Sequence, residues 1–123
     1  MLKLQKNNQR HFKNVRFNIF NEFVIFSIQR FDNLNTNFKN NSFLIKDEYI
    51  DLKDLYDGDF EGSEIKYKLF ATIHHKGDFN EGHYYSIIRK DNEWFTFNDS
   101  VVEKINIMDF KSNTVSILFY KKI

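Results

Sequence analysis

From residue 67 onward the chain is a succession of short runs rich in aromatic and β-branched residues, separated by turn residues. No stretch carries the sustained 3.6-residue periodicity of a long amphipathic helix. Tyr67–His75 reads as a strand, 76–82 as a glycine-bounded loop, and His83–Lys90 as a second strand. Asp91-Asn92 supplies a tight turn into a third strand, Trp94–Asn98, because Asp and Asn tolerate the positive φ of a two-residue hairpin. Val115–Tyr120 reads as a final buried strand. Strands joined by so few residues pair antiparallel, since a parallel crossover needs a dozen residues or more. If the turn is Asp91-Asn92, residues 90 and 93 pair and Tyr85 lies opposite Asn98.

The first half is less regular. Val15, Phe17 and Ile19 alternate with Arg16 and Asn18, and Phe23–Ile28 is a short apolar run; both read as strands. Residues 32–42 are asparagine-rich and read as a loop, whereas Phe43–Ile45 and Tyr49-Ile50 read as short strands. Asp51 is placed to cap a single helical turn through Leu55, 57–62 is an acidic turn, and a short helix is expected near Met108-Asp109-Phe110. The fold class expected is α+β, mainly a twisted antiparallel β-sheet with one or two short helices. Residues 1–14 read as a polar N-terminal segment and 15–123 as the folded unit.

Composition excludes several functions. A length of 123 residues fits one domain. Eighteen basic against seventeen acidic residues give a net charge of +1, which argues against a nucleic-acid protein built on a dominant basic surface. Phe occurs 15 times and Ala71 is the sole alanine, so large rings must fill the core. The apolar runs are far too short to span a bilayer, and the first residues lack the apolar region of a secretory leader. The expected location is therefore intracellular, cytoplasmic or nuclear. Cysteine is absent, which excludes disulfides, thiolate metal sites and any thiol nucleophile supplied by these residues.

One constellation carries chemistry. His83 follows Gly82 at the start of a strand, so the sheet holds its backbone while its ring faces an open edge. A general base in that position needs a nucleophile at one ring nitrogen and an acceptor at the other. Asn98 and Asp99 end the neighbouring strand, and the Asn98 side-chain oxygen is placed to accept a proton from His83 Nδ1. His74 and His75 read as structural, with one ring satisfied by backbone, and Trp94, Phe95 and Phe97 as sheet packing. No metal site or cofactor is expected.

The stretches Tyr67-Lys-Leu-Phe-Ala71, His75-Lys-Gly77, Gly82-His83-Tyr84-Tyr85, Trp94-Phe-Thr-Phe97-Asn98-Asp99-Ser-Val101 and Ile117-Leu118-Phe119-Tyr120 occur in that order. Together they resemble the histidine box of the ubiquitin-specific proteases. Phe23–Phe31 resembles the family's apolar strand ending in Lys-Arg-Phe, with Gln29 in place of Lys, and Tyr49-Ile50-Asp51-Leu52 resembles a segment that usually carries Pro. The resemblance spans roughly residues 15–122. It implies a partial papain-like palm in which His83 is the catalytic histidine, Asn98 the third triad member and Asp99 an accessory polar group. Gly77, Gly82 and Tyr84 would bind the ubiquitin tail, flanked by loops 32–42 and 76–82. The partners implied are ubiquitin or a ubiquitinated protein, and a chain or segment that supplies the thumb, or a larger assembly.

The family's nucleophile is a cysteine in an N-terminal thumb, and many members carry a zinc ribbon; neither is encoded in these residues. Two readings follow. The residues are the histidine half of a deubiquitinase whose thiol lies elsewhere, inactive alone; or they are a dead palm retained as an interaction module. Poor solubility in isolation is expected of either.

Overall fold

The computed structural model describes residues 3–4, 13–14, 16–31, 39–40, 44–45, 47–106 and 111–123. In chain order the strands are β1 (Lys3–Leu4), β2 (Lys13–Asn14), β3 (Phe23–Ser27), β4 (Leu44–Ile45), β5 (Tyr49–Asp51), β6 (Lys66–Gly77), β7 (Gly82–Lys90), β8 (Glu93–Asn98), β9 (Val101–Ile105), β10 (Lys111–Ser112) and β11 (Val115–Lys122). The principal sheet has the order β3-β11-β6-β7-β8-β9, with β5 paired to the start of β6. Every pairing in it is antiparallel. Two minor pairings, β1 with β2 and β4 with β10, stand outside it.

The meander β6–β7–β8–β9 follows from its turns. Lys90 pairs with Glu93, and both residues between them adopt positive φ, Asp91 at 53° and Asn92 at 64°. That is the twist-matched geometry of a two-residue hairpin. Asn98 pairs with Val101 across Asp99-Ser100, with Asp99 at φ 52°. β6 and β7 run closer to each other than a 76–82 loop implies: Gly77 pairs with Gly82, and Asp78 N–H donates to the Glu81 carbonyl at 3.1 Å.

The α component of the expected α+β fold reduces, among the described residues, to a single 3-10 turn at Lys53–Leu55. Asp51 closes that turn, its Oδ1 accepting from Lys53 N–H at 2.9 Å and Ile65 N–H at 3.0 Å. These two bonds, that to Ile65 first, hold its carboxyl below the usual range. The expected helix near Met108 lies outside the described residues. The expected strand over Val15–Ile19 is corrected to an isolated parallel bridge of Phe17 with Tyr56 followed by a bend. β9 was not anticipated, because Val101-Val102 is followed by charge and only its pairing to β8 makes it a strand.

One face of the sheet forms the core. Tyr67 and Leu69 of β6, Val115, Leu118 and Tyr120 of β11, Val24 of β3, and Trp94 of β8 pack with Leu52 and Ile65. Two register shifts between β6 and β11 break strict alternation. They let Ala71 and Thr72, and likewise His74 and His75, be buried as sequence neighbours. The opposite face of the edge strand β3 stays open, with Phe23 50% and Ile25 60% exposed.

Candidate functional site

The β7 and β8 register fixes the site. With Lys90 opposite Glu93 and Ser86 opposite Phe97, the start of β7 lies beside the end of β8. His83 and Asn98, fifteen residues apart, meet there at 2.5 Å between His83 Nε2 and Asn98 Oδ1. An amide oxygen only accepts, so Nε2 is the donor in this pair. The partnership expected from sequence is present, but through the other ring nitrogen: Nε2, not Nδ1, faces Asn98. Nδ1 is then the ring nitrogen left for a second partner.

The other candidate residues surround this pair. Gly82 opens β7 and pairs with Gly77 at the end of β6. Gly77 needs its missing side chain: its φ is +102°, and a Cβ there would lie 2.5 Å from the Glu81 carbonyl oxygen. At Gly82 the constraint is a neighbour, since a Cβ would lie 1.8 Å from His75 Nε2. Tyr84 is 63% exposed and lies 4.7 Å, centroid to centroid, from the His75 ring. Asp99 sits in the β8–β9 turn immediately after Asn98.

Behind the pair lie two buried histidines. His74 has Thr72 Oγ1 at 2.8 Å from Nε2 and Thr114 Oγ1 at 2.9 Å from Nδ1, and it stacks on Tyr85 at 4.9 Å. Both of these contacts are with threonine hydroxyls. His75 is only 4% exposed, with the edge of Phe31 5.6 Å away. Lys39 Nζ lies 3.1 Å from its Nδ1. Burial first, and then the Lys39 charge, lower the His75 pKa. Neither Lys39 nor the buried Arg30, whose Nε donates to the Val115 carbonyl at 2.7 Å, was identified as part of the site from sequence. Lys39 lies within the asparagine-rich segment 32–42, 36 residues from its partner, where local pattern gives no signal.

The same sheet occurs as part of larger solved structures. Over 99% of its length the chain superposes on part of a SAGA DUB module containing Ubp8, Sgf11, Sus1 and Sgf73, with a TM-score of 0.77, 25% identity and 28% of that chain covered. A second such module, bound to monoubiquitin, matches 83% of this chain and 23% of its own at a TM-score of 0.69 and 27% identity. The human protein ubiquitin carboxyl-terminal hydrolase 27 is 44% identical over 62 residues, covering 49% of this chain and 14% of that relative. The family model described as ubiquitin carboxyl-terminal hydrolase matches residues 2–120. The chain belongs to that family, and it spans a minor part of the length of the relatives it matches.

Proposed function

We propose that these residues are the histidine-box part of a ubiquitin-specific protease that cleaves isopeptide bonds after the ubiquitin C-terminal glycine. The observation that carries this reading is the 2.5 Å His83–Asn98 bond between strands whose register is fixed by the Asp91-Asn92 turn. His83 Nδ1 takes the proton of a thiol supplied from outside these residues, and the thiolate attacks the scissile carbonyl. The same ring then returns the proton to the departing lysine amine, and afterwards activates the water that hydrolyses the thioester. Asn98 holds the tautomer and orientation that both transfers require. Asp99 adds a polar group at the end of β8, and Gly77, Gly82 and Tyr84 receive the ubiquitin tail. At both glycines a side chain would collide with neighbouring atoms, the Glu81 carbonyl at Gly77 and the His75 ring at Gly82.

The absence of cysteine makes these 123 residues inactive by themselves. It also favours the second reading, an interaction module that binds ubiquitin or sits in a larger assembly without turnover. Titrating isotope-labelled ubiquitin with the chain separates these points. Shifts confined to the ubiquitin C-terminal tail are expected, and no release of fluorophore from a ubiquitin–coumarin conjugate. An unperturbed tail overturns the tail site; turnover by the chain alone overturns the requirement for an outside thiol.

A further inference from the structure

The catalytic pair is solvent-exposed, and an exposed hydrogen bond between two side chains contributes little by itself. Something must hold the start of β7 at a fixed height against the end of β8. The β6 edge shows what does. β11 begins at Val115, opposite His74, and the last backbone bond on that side runs from His75 N–H to the Thr114 carbonyl at 2.9 Å. Beyond it the carbonyls of His75 and Gly77 face the side where β11 has ended; that of His75 is partly buried and costly to leave unmet, whereas that of Gly77 is exposed.

Lys39 fills that place. Its ammonium donates to the His75 carbonyl at 3.2 Å and the Gly77 carbonyl at 2.9 Å, and lies 3.1 Å from His75 Nδ1. An ammonium has three donors and no acceptor, so all three contacts are satisfied together only if His75 is neutral with its hydrogen on Nε2. Lys39 is itself anchored. It bridges to Phe31 and lies 5.7 Å from that ring's centroid, and the adjoining Asn40 receives Arg30 Nη1 at 3.0 Å on its carbonyl. The His75 ring, so fixed, fills the space above Gly82, the residue before His83.

We propose that Lys39 and His75 are positioning residues for His83: the lysine caps the end of β6, and the clamped His75 ring sets Gly82, and through it His83, in line with Asn98. This rests on the reading of His83 as the acid–base residue. It adds that a cation 36 residues from its partner in sequence holds the strand that carries it.

The chain has four histidines, so ring-nitrogen NMR of histidine-labelled protein resolves each. In the wild type the proposal requires His75 Nδ1 to be unprotonated and Nε2 protonated; an Nδ1–H tautomer overturns it. In Lys39→Met the His83 Nε2–H signal should move from its Asn98-bonded position toward that of free imidazole. Amide exchange over Gly77–Tyr84 should quicken at least about tenfold, with β3 and β11 unchanged. An unchanged His83 signal with unchanged exchange overturns the proposal, and a variant that unfolds outright leaves the decision to the wild-type tautomer. A peptide of the ubiquitin C-terminal tail should bind Lys39→Met at least about tenfold more weakly than wild type. If the wild type itself does not bind that peptide, the tail site fails, while the ring and exchange results still judge the brace.

Discussion

Replacing Gly82 by alanine tests how tightly the site is built. An ideal Cβ at this position would lie 1.8, 2.7 and 2.9 Å from three atoms of the His75 ring. All are below the 3.0 Å that real Cβ atoms respect. The ring has no easy exit, because it is 4% exposed and bounded by Phe31, Tyr84 and the Lys39 ammonium. Overpacking a filled site costs about 1–3 kcal/mol, and displacing the ring also gives up the Lys39 contact, worth roughly 0.5–1.5 kcal/mol. A loss of about 2–4 kcal/mol follows. At a urea slope of about 1–3 kcal/mol/M the midpoint should fall by at least roughly 0.7 M. Trp94, the single tryptophan and 8% exposed, reports unfolding by fluorescence. Gly62→Ala is the control. Its Cβ would meet the Phe60 ring at 2.4 Å, but that ring is 36% exposed and held by one edge contact with Tyr56, so a shift toward solvent should cost less than about 1 kcal/mol. Equal, small effects at the two glycines would refute the account of a clamped His75.

Three further outcomes are expected. Asn92→Val, at φ 64°, should destabilise the β7–β8 hairpin by about 1–2 kcal/mol, since a β-branched side chain is strained in the left-handed region; equilibrium unfolding checks it. Burial, aided by Asp47, raises the Tyr120 pKa to about 12. Below the ordinary tyrosine value both folded and unfolded chains keep this proton; above it the unfolded chain loses the proton first, so stability falls as pH rises from about 10 to about 12. Alkaline absorbance titration combined with denaturation at stepped pH reads this directly, and a stability flat to pH 12 would count against it. Phe23 and Ile25, exposed on the edge strand β3, should drive self-association of the isolated chain. Ile25→Lys is expected to raise the concentration at which sedimentation departs from monomer.

The second half of the fold was legible because its signals are local. Asp91-Asn92 sets a register that pairs Ser86 with Phe97, and extending it brings the start of β7, with His83, beside Asn98. Which nitrogen faces Asn98 was not legible, since it depends on side-chain torsions that strand pairing leaves open. The first half was harder for a physical reason. Phe17 belongs to a bridge with Tyr56 and not to a strand of its own, so its alternation with Arg16 and Asn18 reflects packing against a distant turn. The two register shifts along β6 explain why His74 and His75 are both buried, which no period-two reading of that strand foresees. Lys39 and Arg30 act over separations that sequence pattern does not span.

The central claim, that His83 and Asn98 form the acid–base half of a thiol hydrolase, is tested most directly by transplantation. The chain superposes over 99% of its length on 28% of the matching Ubp8 module chain, so it can replace that portion in a chimaera that keeps the remainder of the relative. The folded chimaera should release fluorophore from a ubiquitin–coumarin conjugate. His83→Ala within it should lower the rate by about 10²-fold or more, with ubiquitin binding retained. A folded chimaera that binds ubiquitin but is inert, or one whose rate is indifferent to His83→Ala, would contradict the account.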